Sequence, residues 1–326
     1  MALTMRRTND SGGPPLQPIL LTAALAAALG AFIYLLSVLA GVAAGRADGG
    51  RDVVTESGGA PGGFEQPGPD GVDATPAAVA DALAAALTAR ELETTGVAAV
   101  ALDGTLLGGI NLDLPGYAAS TYKLALLYEA ERRVAAGALA YDDRVPVTAE
   151  ARSEDLGTID RLPIAADGTV SVGEALTAMV TFSDNAAAVA LLRFLGPSAV
   201  DASLRGIGAA TMSVNDPGLP ATPRDLALLM AAIARGEGLT PGARDHALGL
   251  LAAQEVRAGI PAALQGVPGV QRVGNKTGTW PDATRDVAVV ETERGAYVVA
   301  IMAEGDWNWD LVRRAALAVH EELTRR

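Results

Sequence analysis

Strand-like segments lie at both ends of a long helical stretch, and this order restricts the possible fold more than any other feature of the chain. Residues 95–102 and 105–113 are predicted to form a hairpin that turns at Asp103-Gly104. Three more apolar runs are typical of strands, at 270–280, 284–292 and 296–304. We predict an α/β (α+β) fold in which the two ends form one antiparallel sheet of about five strands.

The residues between these strands have helical periodicity and clear helix starts. SVGE (171–174) is a capping box, TPRD (222–225) places proline at the first helical position, and 240–254 opens in the same way. Helices are also predicted at 75–92 and from about Asp310 to Thr324. We expect helices on the faces of the sheet and an inserted all-α lobe, with a binding cleft between the lobes.

The first 73 residues differ in character from the rest of the chain. Residues 1–17 form a short tail, and the apolar segment 18–45 is longer than the ~20 residues that span a bilayer. We predict an uncleaved signal anchor, although cleavage at 42–45 would instead release a secreted protein. Residues 46–73 are rich in glycine and proline and predict a flexible linker, so the folded domain is expected at 74–326.

Composition excludes several kinds of partner. The chain has 326 residues and a formal net charge of −13, so it does not offer the basic face that nucleic acids require. It contains no cysteine, which excludes disulfides and thiolate metal sites. Its two histidines, His246 and His320, lie far apart in predicted helices. We therefore expect no metal, no cofactor and no nucleic-acid partner, and we expect a monomer.

Only two of the 25 basic residues are lysines, and the first, Lys123, follows Ser120 by three positions. On a helix this spacing places both side chains on the same side. The helix start and the neighbouring leucines are expected to lower the pKa of Lys123, and a neutral lysine can act as general base for a serine nucleophile. Arginine would stay protonated. Alone, however, Ser-x-x-Lys is expected about once in a chain of this size, and Ser120 could be only a helix cap.

Two further motifs follow in the chain. Ser183–Asn185 reads Ser-Asp-Asn and lies between two helical stretches, where a helix cap is the alternative explanation. Lys276–Gly278 reads Lys-Thr-Gly and lies on a predicted strand, where an exposed edge lysine and a glycine bulge are the alternative. Across the three motifs, Ser-x-x-Lys contains one lysine of the chain and Lys-Thr-Gly contains the other, which favours one acyl-transfer site over three coincidences.

Together, Ser-x-x-Lys, Ser-Asp-Asn and Lys-Thr-Gly resemble the motif set of class A β-lactamases and penicillin-binding proteins, over about residues 75–326. The flanking segments are also similar to that family: GINLDLPGYAASTYKLALLY (109–128), MVTFSDNAAAVALL (179–192) and GVPGVQRVGNKTGT (266–279). Ser-Asp-Asn differs from the Tyr-x-Asn of class C-like enzymes. The resemblance implies a β-lactamase/transpeptidase-like fold and an acyl-enzyme intermediate.

The resemblance also implies the catalytic roles. Ser120 would be the acylated nucleophile and Lys123 its proton acceptor. Ser183 would pass a proton to the leaving nitrogen. The backbone N–H groups of Ser120 and Thr279 would form the oxyanion hole, because preorganised donors must meet the developing negative charge.

Substrate contacts follow from the same resemblance. Asn185 would bind an amide carbonyl of the substrate, and Lys276 would lie near its carboxylate. Thr277 and Gly278 would belong to the strand edge that pairs with the substrate, with the Thr277 hydroxyl near the carboxylate. Arg285 matches the position of a carboxylate-binding arginine, although a salt-bridged strand arginine is an equally good explanation.

One family feature is missing. Class A enzymes carry a loop glutamate that activates the water releasing the serine. The corresponding loop, SVNDPGLP (213–220), contains no glutamate, and none occurs between residues 175 and 236. Asp216 is the only carboxylate in the loop, has a shorter side chain, and lies in an ordinary turn sequence. Acylation is therefore better supported than deacylation, and a long-lived acyl-enzyme is expected.

Three functions stay open on the sequence alone. The first is a β-lactamase-type serine hydrolase that opens small-molecule β-lactams. The second is a peptidoglycan D,D-peptidase or a related esterase that acts on cell-wall peptides with the same acylation site. The third is a non-hydrolytic penicillin-binding or sensing protein, which would normally need a cytoplasmic output domain larger than residues 1–17. All three predict a domain outside the cytoplasm, anchored by a single pass or secreted.

Overall fold

The structure is a computed structural model that describes residues 75–325. The predicted tail (1–17), signal anchor (18–45) and linker (46–73) lie outside the described residues. Within the described residues, no single helix is long and apolar enough to cross a membrane. The helix pair Asn185–Leu195 and Pro197–Gly206 passes that test only when taken together, and it is bent by 83°.

The strands in chain order are β1 (Thr95–Ala101), β2 (Leu106–Ile110), β3 (Gly116–Tyr117), β4 (Arg144–Pro146), β5 (Thr169–Ser171), β6 (Pro220–Ala221), β7 (Val270–Trp280), β8 (Ala283–Thr292) and β9 (Gly295–Glu304). The α-helices are α1 (Pro76–Ala86), α2 (Ala89–Thr94), α3 (Lys123–Ala135), α4 (Ala149–Ser153), α5 (Val172–Thr181), α6 (Asn185–Leu195), α7 (Pro197–Gly206), α8 (Pro223–Arg235), α9 (Pro241–Ala252), α10 (Ile260–Ala263) and α11 (Trp309–Thr324). Short 3-10 helices span Ala119–Tyr122 and Ile159–Arg161.

The five long strands form one antiparallel sheet in the order β2-β1-β9-β8-β7, which confirms the predicted fold class. The two ends of the domain meet where β1 pairs with β9, with Ala98 opposite Ala300. Strand β7 lies at one edge of the sheet, with Lys276 opposite Val287 of β8. The Lys-Thr-Gly motif therefore lies on an edge strand of the sheet.

The predicted helix at 75–92 is wrong in one respect, because two helices occupy this region. Thr75 caps α1 and Pro76 occupies its first turn, as predicted. The chain then breaks at Leu87, and Thr88 starts α2 with a capping box in which it exchanges hydrogen bonds with Glu91. This Thr-x-x-Glu signal competes with continued helical periodicity and ends α1 at Ala86.

The other predicted helix starts agree with the structure. Ser171 and Glu174 form the capping box of α5, and Thr222 and Asp225 form that of α8. Thr240 caps α9, whose first residue is a proline. The last helix, α11, begins one residue before the predicted position, after the cap Asn308.

Helices cover both faces of the sheet. Helices α1 and α11 pack against one face, where Val79, Leu83, Val299, Ile301 and Val319 are all fully buried. Helix α8 packs against the other face, in contact with β1, β8 and β9. Burying apolar side chains on both faces supplies the core of the domain, since each buried aliphatic side chain contributes about 1.5–3 kcal/mol.

The chain between β2 and β7 forms the inserted lobe, which is mostly helical. It also contains two short strand pairs, β3 with β6 and β4 with β5, that the sequence did not predict. Helix α3 is its central helix: residues 123–131 are all buried, and it contacts α5, α6, α7, α8 and α9. Lys123, the first residue of α3, is therefore held in the interior of this lobe.

Candidate active site

The 3-10 helix that precedes α3 presents Ser120 next to the sheet. The residue before Ser120, Ala119, has a φ of 47°, a left-handed conformation that non-glycine residues adopt only where the surroundings hold it. Ser120 itself is half-buried. Its side chain makes no cap hydrogen bond to either the 3-10 helix or α3. The helix-cap explanation for Ser120 is therefore not supported by the geometry.

Lys123 is fully buried and reaches the Ser-Asp-Asn motif. Its Nζ donates to the Ser183 carbonyl oxygen at 2.6 Å and to Asn185 Oδ1 at 2.7 Å, and it lies 3.2 Å from Ser183 Oγ. Burial, reinforced by the charge of Lys276, lowers the pKa of Lys123 well below its usual range, while Asp184 opposes this shift. This shift favours the neutral form of the amine.

A neutral amine has two N–H donors and one lone pair. As an ammonium, Lys123 would donate to the Ser183 carbonyl oxygen, Ser183 Oγ and Asn185 Oδ1; in the neutral form, the Ser183 carbonyl and Asn185 Oδ1 would take its two N–H groups. The lone pair is then left to accept a proton from a hydroxyl. Within residues 75–325 no hydrogen bond joins Lys123 to Ser120, so proton transfer between these two residues stays a prediction.

The Ser183 hydroxyl lies between the two lysines of the chain. Lys276 Nζ is 3.0 Å from Ser183 Oγ and also donates to the Thr277 carbonyl oxygen at 2.9 Å. Lys276 is fully buried, and burial lowers its pKa to about 7 against the opposing charge of Asp286. The structure thus brings residues of all three predicted motifs within hydrogen-bond distance of one another.

Asp184 is the helix cap that the sequence left open as an alternative explanation for the Ser-Asp-Asn motif. It is fully buried and caps α6, where its Oδ1 accepts from the Ala187 N–H at 2.6 Å. Its Oδ2 accepts from the Thr158 hydroxyl at 2.6 Å. The preceding Ser183 has a φ of 62°, another left-handed non-glycine residue. The helix cap therefore belongs to Asp184, while the side chains on either side of it contact the lysines.

Gly278 lies directly against the turn that carries Ser120. A Cβ on Gly278 would lie 2.9 Å from the backbone nitrogens of Ser120 and Thr121 and 3.0 Å from the Ala118 carbonyl oxygen. The pairing with β8 is continuous here, with Gly278 opposite Arg285, so the predicted alternative of a bulge is wrong. Glycine is needed for this close approach of two backbones.

The predicted oxyanion donors lie in this region. The Ser120 N–H is in the first turn of a helical segment, where backbone donors lack intrahelical partners. Thr279 follows Gly278 on β7, opposite Thr284 of β8. The close approach of Gly278 to the Ser120 nitrogen brings the two backbone segments together. Their joint use as an oxyanion hole stays a prediction.

Arg285 is a salt-bridged strand arginine, which is the second of the two explanations that the sequence left open for it. Its side chain has no exposed surface, and its Nε donates to the Tyr117 carbonyl oxygen at 3.0 Å. The remaining nitrogens bond the Ala303 carbonyl oxygen and the Glu304 carboxylate. This salt-bridged position leaves no free surface on the guanidinium, so a contact with a substrate carboxylate would require rearrangement and is not supported by this geometry.

The loop after the second motif reaches the Ser120 turn without bringing a carboxylate to it. Strand β6 pairs with β3, and the Leu219 carbonyl oxygen accepts from the Ala118 N–H at 2.9 Å. Leu219 is buried and has a φ of 42°. Asp216 is exposed and its Oδ1 accepts from the Gly218 N–H at 2.8 Å, as expected for a turn residue.

Several residues of the site carry no motif that the sequence could reveal. Gln254 Nε2 donates to Thr277 Oγ1 at 3.0 Å. Asp286 is fully buried and accepts from Asn275 Nδ2 at 2.9 Å and from the Ile260 N–H at 2.8 Å, and burial raises its pKa to about 7. A lone aspartate within the apolar strand TRDVAVV was the available signal for Asp286. Gln254 gives no such signal.

The two histidines have packing roles away from these residues. His246 Nδ1 lies 2.6 Å from Glu131 Oε1, and His320 Nδ1 lies 2.9 Å from the Tyr297 hydroxyl oxygen. Among residues 75–325, no group of three or more histidine, aspartate or glutamate side chains could hold a metal ion.

The model of the beta-lactamase enzyme family matches residues 78–323. An ancestral class A beta-lactamase, reconstructed for Gram-negative bacteria, is 25% identical with a TM-score of 0.65 and covers 74% of this chain and 99% of its own. The beta-lactamase from Sphaerobacter thermophilus is 26% identical with a TM-score of 0.63 and covers 74% of this chain and 94% of its own.

The structure of PBP-A is similar to the same degree. It is 26% identical with a TM-score of 0.63 and covers 70% of this chain and 89% of its own. A mutant of PBP-A has been solved as an acyl-enzyme complex with penicillin G. No curated protein sequence matches the chain. Since the family model spans most of the chain, and the sheet, the inserted lobe and the solved neighbours agree with it, this protein belongs to the beta-lactamase enzyme family.

Proposed function

We propose that this protein is a serine acyl-transfer enzyme that opens β-lactam amides and holds the product as an ester of Ser120. One observation carries the proposal. Two buried lysines of lowered pKa meet at the Ser183 hydroxyl, beside the turn of Ser120. Buried amines that can be neutral near pH 7 are suited to proton transfer, whereas they add little to stability because desolvating a charge is costly.

The proposed acylation begins with attack by Ser120 Oγ on the carbonyl carbon of the substrate. The Ser120 proton passes to the lone pair of neutral Lys123, and the tetrahedral oxygen is stabilised by the N–H groups of Ser120 and Thr279. The C–N bond then breaks while Ser183 donates its proton to the leaving nitrogen. Ser183 regains a proton from Lys123 or Lys276, both within 3.2 Å of its hydroxyl oxygen. The balance is one ester formed and one amide broken.

We propose that deacylation is slow. Hydrolysis of the ester needs a base that activates water near Ser120. The loop that reaches Ser120 brings a buried leucine, Leu219, and its carboxylate, Asp216, is exposed and engaged in its own turn. The absence of a loop glutamate from the sequence between 175 and 236 supports the same conclusion.

A second candidate function is a peptidoglycan D,D-peptidase or esterase with the same acylation steps. It is favoured by the missing loop glutamate. A peptidase can pass the acyl group of its peptide substrate to an amine of a cell-wall peptide or to water, while the ester that it forms with penicillin persists. The likeness to PBP-A, one mutant of which forms an acyl-enzyme with penicillin G, is compatible with either candidate.

The location of the enzyme follows from its substrates. Cell-wall peptides and β-lactams are met outside the cytoplasm, and residues 18–45 are long and apolar enough to anchor the chain. We therefore propose an extracytoplasmic domain attached to the cell membrane.

The non-hydrolytic sensor is the alternative in which the penicillin ester has no catalytic release at all.

The test is the time course of the intact mass of the full-length protein with benzylpenicillin, with Ser120→Ala as control. Acylation predicts a mass increase equal to one penicillin, in the wild type only. Clearance of the adduct within seconds would contradict slow deacylation. A persistent adduct with turnover of D-alanyl-D-alanine peptides would identify the peptidase, and persistence without turnover would favour the sensor. No adduct at any time would exclude the acyl-serine proposal.

A further inference from the structure

Gln254 is a buried side chain between helix α9 and the Lys-Thr-Gly strand. It is only 1% exposed. Its Nε2 lies 3.0 Å from Thr277 Oγ1, and its Oε1 lies 2.7 Å from the backbone nitrogen of Val256. A buried amide with partners at both ends is fixed in orientation.

The direction of both hydrogen bonds of the Gln254 amide follows from which atoms can donate and which can accept. The Val256 N–H can only donate, so the atom of Gln254 that faces it must be the amide oxygen. The NH₂ group of Gln254 must then face Thr277. Exchange of the amide oxygen and nitrogen would place two N–H donors against each other at Val256, where no hydrogen bond could form. Thr277 Oγ1 is therefore an acceptor in its bond with Gln254.

A threonine hydroxyl has one hydrogen to donate and two lone pairs. Since Gln254 occupies a lone pair of Thr277 Oγ1, the hydrogen must point elsewhere. Among the described residues, no hydrogen bond accepts the Thr277 hydroxyl proton. Thr277 lies on the edge strand β7 next to Lys276, whose ammonium form is the nearest cation along the strand.

The segment that carries Gln254 is held to both lobes. The Glu255 N–H donates to the Thr181 carbonyl oxygen at 2.8 Å, at the end of α5 and just before the Ser-Asp-Asn motif. Asn275 Nδ2, from β7, donates to the Val256 carbonyl oxygen at 3.3 Å. These anchors at the two residues after Gln254 hold the segment that places its amide against Thr277.

We infer that Gln254 is a positioning residue that makes the Thr277 hydroxyl a hydrogen-bond donor for the anionic carboxylate of the substrate. The inference rests on the proposed acylation of Ser120 and deepens it, because it assigns selection of anionic substrates to a residue outside the three motifs. Gln254 does not touch the substrate. It acts by occupying the acceptor side of Thr277, so that an anion meets an O–H group rather than an oxygen lone pair.

The test compares benzylpenicillin with its methyl ester, which lacks the negative charge. The second-order rate of acylation is measured for each compound by time-resolved intact mass of the full-length protein. The readout is the ratio of the two rates, acid divided by ester. Gln254→Glu replaces a donor by an acceptor, which turns the Thr277 hydroxyl back toward residue 254 and adds a negative charge. Its ratio is expected to fall by about 10-fold or more, the range for a hydrogen bond to a charged group.

Gln254→Met fills similar volume but has no NH₂ group, and its ratio is expected to fall by a smaller factor of about 3–10. The exposed Gln265 supplies the matched control, since Gln265→Glu adds the same charge away from Thr277 and should leave the ratio unchanged. In a Thr277→Val background, Gln254→Met should no longer alter the ratio, because the hydroxyl that it orients is gone. Thr277→Ser should keep the wild-type ratio.

Equal losses for acid and ester in both Gln254 variants would overturn the inference while leaving Ser120 acylation intact. A wild-type protein that benzylpenicillin does not acylate would instead overturn the proposed function and the inference with it. If both Gln254 variants fail to fold, Thr277→Val against Thr277→Ser decides: a ratio that is the same in both overturns the assigned donor role, and a loss in valine alone supports it.

Discussion

Replacing Gly278 by alanine tests the close approach of strand β7 to the Ser120 turn. The new Cβ would lie 2.9 Å from two backbone nitrogens, whereas ordinary contacts begin at 3.4 Å, so the two backbones must separate by about 0.5 Å. The clash is with backbone atoms on the Ser120 side, which no side-chain rotation can relieve. Strain of this kind costs about 1–3 kcal/mol of folding free energy.

The same displacement acts on the proposed oxyanion hole. Catalytic groups must be held to about 0.5 Å, and loss of one oxyanion donor costs about 10²–10³ in rate. We expect Gly278→Ala to lower the second-order rate of acylation by benzylpenicillin about 100-fold, measured by quench-flow and intact mass. Gly249→Ala is the matched control, because a Cβ there meets nothing within 4 Å and lies on the exposed side of α9.

The control should keep the wild-type acylation rate and gain about 0.5–1 kcal/mol of stability, as alanine replaces glycine inside a helix. If folded Gly278→Ala acylates within about twofold of the wild type, the backbone approach does not position the reacting groups, and the oxyanion assignment to Ser120 and Thr279 fails with it.

Three further changes probe other parts of the site. Lys123→Met removes the amine but keeps an unbranched side chain, and it should lower the rate of acylation by a factor of about 10²–10⁴. An unchanged rate would argue against Lys123 as the base. Asp184→Ala removes the α6 cap and the 2.6 Å bond from the Thr158 hydroxyl, which keeps only its 3.5 Å contact with Asp155 Oδ1. The free energy of unfolding in urea should fall by about 2–3 kcal/mol; an unaltered midpoint would contradict this role. Ionised Asp286 raises the pKa of Lys276, so Asp286→Asn should lower that pKa further. If acylation needs the Lys276 ammonium, the rate of acylation in Asp286→Asn should begin to fall at a lower pH than in the wild type. An alkaline limb that stays in place or moves to higher pH refutes the coupling between Asp286 and Lys276.

The fold could be predicted from the sequence where local signals and long apolar runs agreed. Capping boxes and proline at first helical positions located α5, α8 and α9, and the alternation of strand runs located the sheet. The same reasoning missed the break at Leu87, because a second capping box at Thr88 competes with continued helical periodicity. The strand pairs β3–β6 and β4–β5 are two or three residues long, too short to give a period.

The site could be predicted only as far as its motifs extend. Ser120, Lys123, Ser183 and Lys276 stand out because two lysines among 25 basic residues fall in short motifs. What each motif residue does depends on contacts across 60 or more positions, such as Lys123 to Ser183. Three-dimensional packing likewise decides the contact of Asp184 with Thr158, the ion pair of the buried Arg285 with Glu304, and the contact of Gln254 with Thr277.

The central claim is that Ser120, and not the neighbouring Ser183, carries the acyl group. Its most direct test is peptide mapping of the full-length protein after brief exposure to benzylpenicillin and acid quench. We predict that the added mass of one penicillin is found on the peptide containing Ser120, and that Ser120→Ala abolishes it. An adduct on the peptide containing Ser183, or an adduct that persists in Ser120→Ala, would contradict the proposed acyl-enzyme.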